Sequence, residues 1–173
     1  QEIKLLEDNA ALKAKMAELG LRSKDFFKVD IGDVVLDAWM IKPISFDPQK
    51  KYPLLVHVYG EPAGSTVQDN WGTGDNLWHQ YLSNQLDYIV VSIDNRGTRV
   101  PRGRDFRKSI YRQIGLLAAD DQAKAAKKIV ATYSFVDEKR IGIWGWSGGG
   151  QMSLHCIFRH ADVYKTAIAV AFV

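Results

Sequence analysis

A serine flanked by glycines stands between a sequence pattern typical of a strand and one typical of a helix. The run 140–144 before it is apolar and predicts a buried strand, and the run 151–160 after it predicts a helix. A serine at the tip of so tight a turn can attack a substrate carbonyl, and glycines two residues before and after it prevent collisions. The amides at the start of the helix point to where an oxyanion would develop. The segment is Gly145, Trp146, Ser147, Gly148 and Gly149.

This G-x-S-x-G spacing has two interpretations. A glycine-rich turn with no catalytic role is one of them, because such turns are common. The strand before the turn and the helix after it favour the other, the nucleophile elbow of the α/β-hydrolases. In that fold the catalytic acid and histidine follow the serine in the chain, each after a later strand. Because the residues after Ser147 suffice for one helix and one strand, we expect the acid and the histidine beyond Val173.

The composition is that of one globular domain. The chain has 173 residues, of which 46% are hydrophobic and 25% are charged, with a formal net charge of +3. A chain of this length can bury a sizeable core. The single cysteine, Cys156, excludes an intramolecular disulfide, and we expect a buried, inert thiol. No apolar run is long enough to predict a membrane span.

Hydrophobic periodicity predicts an α/β fold. A helix over 10–19 capped by Gly20 precedes an antiparallel hairpin formed by 26–31 and 34–41, and a polar loop covers 43–53. Apolar strands then alternate with helices, which is typical of a parallel sheet covered on both faces. The strands are 54–59, 88–93, 141–144 and 166–172, and the helices are 77–86, 117–132 and 151–159. We therefore predict a three-layer αβα sandwich of the α/β-hydrolase type, truncated before its last strands.

Segments spread along the chain resemble the prolyl oligopeptidase family of serine peptidases, and within it the dipeptidyl peptidase IV type. The segments that carry this resemblance are 5–9 (LLEDN), 51–56 (KYPLLV), 58–62 (VYGEP), 94–97 (DNRG), 121–122 (DQ), 135–141 (FVDEKRI), 144–147 (WGWS) and 168–171 (IAVA). They occur in order over nearly the whole length, which is more specific than the elbow alone.

The resemblance implies roles for several residues. Ser147 is implied as the nucleophile, and Tyr59 with the backbone N–H of Gly148 as the oxyanion hole. The alternative for Tyr59 is an aromatic side chain that only packs at a strand end. Trp146 is expected to support the elbow by packing, and Val173 to line the pocket for a substrate proline. No metal and no cofactor are implied.

The chain also departs from the dipeptidyl peptidase IV pattern. That pattern has a tyrosine after the serine, which helps to shape the proline pocket, and Gly148 stands there in this chain. The acidic residues that hold a substrate N-terminus belong to a β-propeller domain that precedes this region in the relatives.

We expect residues 1–173 to be part of the peptidase domain, without that upstream propeller and without the downstream part that bears the acid and the histidine. Dipeptidyl, tripeptidyl and internal cleavage stay open, and the resemblance implies a periplasmic, secreted or membrane-anchored location.

The four histidines have structural interpretations. His57 lies in an apolar strand, His79 on what we expect to be a surface helix, and His155 and His160 on the helix after the elbow. None comes late enough in the chain to act as the triad base, and their spacing matches no metal motif.

Charged residues cluster in two places. Six arginines and Lys108 lie between positions 96 and 112, but no nucleic-acid-binding fold accompanies them. We therefore expect a solvated loop, or one that contacts the upstream propeller, and no nucleic-acid partner. Arg96, at the end of its strand, is the arginine expected to order the active-site loops. Asp120 and Asp121 are expected to open a helix and to act as caps.

The sequence is compatible with three functions. The favoured one is a serine peptidase that removes dipeptides with proline or a small residue at the penultimate position. The alternatives are an esterase or other acyl hydrolase with the same elbow, and a binding module that keeps only the fold. Cleavage of a proline-containing amide would separate the first two. The 173-residue chain alone is expected to be inactive and to form a homodimer through the open edge of strand 166–172.

Overall fold

The structure is a computed structural model that describes residues 4–70 and 74–173. Within these ranges six strands form one sheet in the spatial order β1-β2-β4-β3-β5-β6. The first two strands form an antiparallel hairpin, β2 pairs antiparallel with β4, and all later pairings are parallel. The strands are β1 (Asp25–Asp30), β2 (Val35–Ile41), β3 (Tyr52–His57), β4 (Ile89–Asp94), β5 (Val136–Trp146) and β6 (Thr166–Val170).

Helices connect the parallel strands, as the crossovers of a parallel sheet require. In the same described ranges the helices are α1 (Ala10–Leu19), α2 (Gly74–Leu86), α3 (Gly103–Lys108), α4 (Leu116–Thr132) and α5 (Gly148–Arg159). Gly20 ends α1 in the left-handed conformation with φ 61°, and its N–H donates to the carbonyl of Ala17. No described helix is long and apolar enough to cross a membrane.

Two hydrophobic clusters lie on opposite faces of the sheet, and β3 shows why. Leu54 and Val56 face one side and Leu55 the other, because successive side chains of a strand alternate. The larger cluster includes residues of α4 and α5, and the smaller one includes Leu82 of α2. The sheet is therefore the middle layer of an αβα sandwich, as expected.

The predicted elements are confirmed, although several of them begin or end at other residues than predicted. Strand β3 begins at Tyr52 rather than Leu54, and β5 begins at Val136 rather than Ile141. The short helix α3 was not predicted, because its six residues, GRDFRK, carry too few apolar positions to show a period.

Candidate active site

Ser147 lies at the turn between β5 and α5 with strained backbone geometry. Its φ of 54° and ψ of −122° are unusual for a residue other than glycine. The Ser147 N–H donates to the carbonyl of Val170 in β6 at 2.9 Å, and its own carbonyl accepts from Gln151 N–H at 3.1 Å. The neighbouring strand and the first turn of the helix therefore hold the serine in this conformation.

The glycines of the turn are required by close backbone contacts. A Cβ at Gly145 would lie 2.5 Å from the carbonyl oxygen of Gly149 and would collide with the carbonyl oxygen of Val58. A Cβ at Gly149 would meet the same Val58 oxygen and would lie 3.2 Å from Cα of Tyr59. These neighbours are backbone atoms, which cannot rotate away. The expected reason for the G-x-S-x-G spacing is thus found in the packing of the elbow against the end of β3.

Tyr59 is held next to the elbow by the same contacts. The Val58 N–H donates to the carbonyl of Trp144 at 3.0 Å, which extends the pairing of β3 with β5 past His57. The Tyr59 side chain is half-buried, and a Cβ at Gly64 would lie 3.1 Å from its ring. The carboxyl ends of adjacent parallel strands thus bring Tyr59 and Ser147 to one edge of the sheet.

The backbone N–H of Gly148 lies in the first turn of α5. The N–H groups of the first turn have no acceptor within their helix and carry the positive end of its dipole. An N–H in this position and a tyrosine hydroxyl can both donate to an oxyanion formed by attack of Ser147.

Asn95 was not picked out from the sequence, although it holds the segment after Tyr59. Its buried side-chain nitrogen donates to the carbonyls of Gly60 at 3.0 Å and of Arg96 at 2.7 Å. Its side-chain oxygen accepts from Nε2 of Gln122 at 2.9 Å. The end of β4 therefore fixes the backbone on which the candidate oxyanion-hole tyrosine stands.

Asp94 fixes the next part of the same loop. Its carboxylate accepts from the N–H groups of Thr66 at 2.9 Å and Val67 at 3.2 Å. Burial raises the pKa of this carboxyl, and the hydrogen bonds from Thr66 and Val67 oppose that rise. The position of both residues directly after an apolar strand could have indicated this role, because active-site loops meet at the carboxyl ends of parallel strands.

Arg96 forms an ion pair with Asp121, and its expected role in ordering the active-site loops stays a prediction. Two of its guanidinium nitrogens bind the two carboxylate oxygens at 3.0 and 2.6 Å, and its backbone N–H donates to one of them at 3.0 Å. The hydrogen bond to Asp121 is the main cause of the raised pKa of Arg96. Asp33 also contacts the guanidinium, at 3.0 Å.

The capping role expected of Asp120 and Asp121 was wrong. Helix α4 begins at Leu116, so the two aspartates lie in its second turn. Asp121 is fully buried against Arg96, while Asp120 accepts from Arg159 at 3.3 Å and lies 2.9 Å from Nε2 of His160.

All four histidines lie in the described residues, and each contacts other residues of the fold. His79 is 2% exposed, so the surface position expected for it was wrong. Its ring lies 4.7 Å from that of His57, and both pack among the indoles of Trp39 and Trp144. Burial lowers the pKa of His57 to about 4 and that of His79 to about 2, so both are neutral near pH 7. In the described residues no group of histidine, cysteine and carboxylate side chains could hold a metal ion.

Three further predicted residues have clear positions. Cys156 is buried, and burial raises the pKa of its thiol to about 12, which fits the inert thiol expected. Trp146 is 60% exposed, so the packing expected of it is not found among the described residues. Val173 is 80% exposed in this chain, and its role in a proline pocket stays a prediction.

The strained serine at a strand–helix turn, on a mostly parallel sheet that begins with a hairpin, defines the α/β-hydrolase class. A family model described as the prolyl oligopeptidase family matches residues 74–173, and the chain belongs to this family.

Known proteins similar to this chain are peptidases by name. The bovine (Bos taurus) prolyl endopeptidase FAP is 37% identical over 171 residues, which are 99% of this chain and 22% of that protein. The dipeptidyl peptidase 4 of Felis catus is 35% identical over 175 residues, with the same two shares. The crystal structure of Porphyromonas gingivalis dipeptidyl peptidase 4 superposes with a TM-score of 0.91 at 38% identity and covers 100% of this chain and 24% of that one. The chain thus spans about a fifth of the length of these relatives.

Proposed function

We propose that the complete protein containing this chain is a serine peptidase that removes dipeptides from peptide N-termini, with proline or a small residue at the penultimate position. The observation that carries the proposal is the contact between the elbow and the end of β3, where Tyr59 Cα lies 3.2 Å from the Cβ position of Gly149. This contact at one edge of the sheet supports the proposed roles of Ser147 as nucleophile and of Tyr59 and Gly148 as oxyanion donors. The names of the relatives support the peptide substrate.

In the proposed reaction Ser147 Oγ attacks the carbonyl carbon of the scissile peptide bond while a histidine takes its proton. The resulting oxyanion accepts hydrogen bonds from the Tyr59 hydroxyl and the Gly148 N–H. The histidine then protonates the leaving amine, and water hydrolyses the acyl-enzyme in the same way. The four histidines of this chain contact residues away from Ser147. The catalytic histidine and its acid partner would therefore come from another part of the complete protein.

Labelling by an active-site-directed fluorophosphonate tests the nucleophile. We expect the complete protein to be labelled at Ser147 and the Ser147→Ala variant to stay unlabelled. Ser134→Ala, which removes an exposed loop serine, is the matched control and should label normally. Labelling of Ser147→Ala would contradict the assignment.

An esterase with the same elbow is the second candidate. A comparison of an alanyl-prolyl anilide with a simple acyl ester separates the two functions. Cleavage of the amide with release of the dipeptide supports the peptidase, whereas hydrolysis of the ester alone supports the esterase.

We further propose that the 173-residue chain by itself is inactive and self-associates. In the described residues β6 pairs only with β5, so its other side is an open edge, and Ile168 is 48% exposed. Light scattering after size-exclusion chromatography should show a dimer, and a stable monomer at high concentration would refute the association.

A further inference from the structure

Glu61 lies against the residue that follows the nucleophile. A Cβ at Gly148 would lie 2.8 Å from Oε1 of Glu61 and still closer to its Oε2 and Cδ. The carboxylate therefore occupies the space into which any larger residue at position 148 would extend its side chain. The glycine at this position and the glutamate at position 61 fit each other.

The segment that carries Glu61 is anchored on both sides of it. Asn95 holds the carbonyl of Gly60 at 3.0 Å, and the carbonyl of Glu61 itself accepts from Gly64 N–H at 3.3 Å. Glu61 is half-buried, so its carboxylate is partly removed from water without being enclosed. The backbone thus keeps this charge next to the elbow.

Within the described residues the Glu61 carboxylate has neither a hydrogen-bond donor nor an ion-pair partner. Nearby carboxylates differ in this respect: Asp94 accepts from two backbone N–H groups, and Asp121 binds Arg96. A partly buried charge without a partner is unfavourable, and a cation bound beside it would offset that cost.

The position of this charge has a consequence for catalysis. The Gly148 N–H is a proposed oxyanion donor, so a carboxylate against Gly148 lies close to the negative charge that forms during attack. Like charges in a partly dry site repel, which would slow the reaction of a neutral substrate. A substrate with its own positive charge next to the scissile carbonyl would neutralise Glu61 and remove this penalty.

We propose that Glu61 is a specificity-determining residue that binds a positively charged group of the substrate adjacent to the scissile carbonyl. The group is an ammonium or guanidinium, supplied either by a basic side chain at the penultimate residue or by the free N-terminal amine. This inference rests on the proposed attack by Ser147. A basic side chain at the penultimate residue would replace the proposed preference for proline or a small residue there, whereas binding of the N-terminal amine is compatible with that preference. Gly148 contributes to the same binding site, because it leaves room for the Glu61 carboxylate.

The test uses the complete protein and two pairs of peptidyl anilides. Alanyl-lysyl and alanyl-norleucyl anilides differ in a side-chain charge, and free and N-acetylated alanyl-norleucyl anilides differ in the amine charge. For each pair the ratio of kcat/KM, charged over neutral, is measured in the wild type and in Glu61→Gln. Using a ratio within each protein cancels any general change in activity.

We expect Glu61→Gln to lower one of the two ratios about tenfold, in the range of a lost charge-assisted contact. The pair that responds identifies the source of the cation. We also expect the variant to cleave the acetylated neutral substrate faster than the wild type does, since the repulsion of the oxyanion is removed. Gly148→Ala, whose methyl group would displace the carboxylate, should lower the same ratio with Glu61 still present.

Glu138→Gln is the matched control, because Glu138 is exposed near the start of β5, at the opposite end of the strand from the elbow. It should leave both ratios as in the wild type. If both ratios in Glu61→Gln stay within about twofold of the wild type while the fluorophosphonate still labels Ser147, this inference is wrong and the proposed function is unaffected. Absence of labelling at Ser147 in the wild type would overturn the proposed function and this inference with it.

Discussion

The side-chain nitrogen of Asn95 donates a 3.0 Å hydrogen bond to the carbonyl oxygen of Gly60 and thereby links the end of β4 to the residue after Tyr59. Asn95 is completely buried, and its side-chain oxygen is bound in turn by Gln122 of α4. A helix on one face of the sheet thus supports the loop that carries two candidate active-site residues. We expect Asn95 to act through this loop as a positioning residue.

Replacing Asn95 by alanine should therefore lower kcat of the complete protein more than it raises KM. The change removes the donor to the buried Gly60 carbonyl and one of the two acceptors of the Gln122 amide, which keeps the carbonyl of Ile93. An unsatisfied buried polar group typically costs about 1–3 kcal/mol of stability. Steady-state kinetics together with denaturant unfolding measures both effects. Asn70→Ala is the control, because Asn70 is exposed and, in the described part of the chain, its side chain binds Gln68. Unchanged kcat in a destabilised Asn95→Ala protein would show that the residue only supports the fold.

Tyr59→Phe should reduce turnover about 100- to 1000-fold, as the loss of one oxyanion donor typically does. Substrate binding should change little, because the ring and its packing against Gly64 remain. Comparing kcat and KM for the variant tests the prediction, with Tyr111→Phe as the control at a side chain that is 70% exposed. A loss below about threefold would fit the alternative that Tyr59 only packs.

The ion pair of Arg96 with Asp121 should matter more for stability than any exposed pair. Arg96→Ala leaves the fully buried Asp121 carboxylate without its ion-pair partner, although the backbone N–H at position 96 can still donate to it. Removing one partner of a buried ion pair typically costs about 3–5 kcal/mol. The control is Arg140→Ala, which breaks the pair with Asp137 at 2.7 Å near the surface and should cost less than about 1 kcal/mol. Unfolding free energies of the complete protein decide between the two. Equal effects of the two variants would mean that Asp121 finds another partner.

The sequence predicts the strand–serine–helix turn and the layers of this fold well, because both depend on local patterns. Ser147 is recognisable from its glycines and from the strand and helix beside it, and β3 from its unbroken apolar run. The partners of Asn95, Asp121 and His79 could not be predicted in this way. Asn95 and Asp121 are 26 residues apart in sequence, and their contacts with other elements depend on the order of strands in the sheet. His79 is buried by Trp39 and Trp144, which lie on two different strands.

The contact between Glu61 and Gly148 is a second example, at the candidate active site, of a contact that the sequence alone does not predict. Both residues stand in segments that the sequence singles out, but they are 87 positions apart. Only the pairing of β3 with β5 brings them together. Residues that tune an active site through space are therefore harder to find than the nucleophile itself.

The pair of buried histidines should make the fold sensitive to acid. Burial is the main cause that lowers the pKa of both, to about 4 for His57 and about 2 for His79. The charge of Lys24 contributes to the value of His57, and the charges of His57 and Lys24 contribute to that of His79. In the unfolded chain each would titrate near 6.5, so their contribution to stability is complete above that pH and is lost as the pH falls towards 4. Each histidine that gains a proton only on unfolding costs about 1.4 kcal/mol per pH unit.

We expect the free energy of unfolding of the complete protein to decrease between about pH 6.5 and 4.5, with a smaller slope in His79→Gln. The Asp94 carboxyl opposes this trend, since its raised pKa means that protonation on acidification favours the folded state. Because the slope is compared between proteins that both keep Asp94, its contribution cancels. His155→Gln, at a site outside the cluster and against Gly115, is the control for the loss of a histidine as such. An equal slope in the wild type and in His79→Gln would mean that His79 is protonated in the folded protein, which its burial against His57, Trp39 and Trp144 argues against.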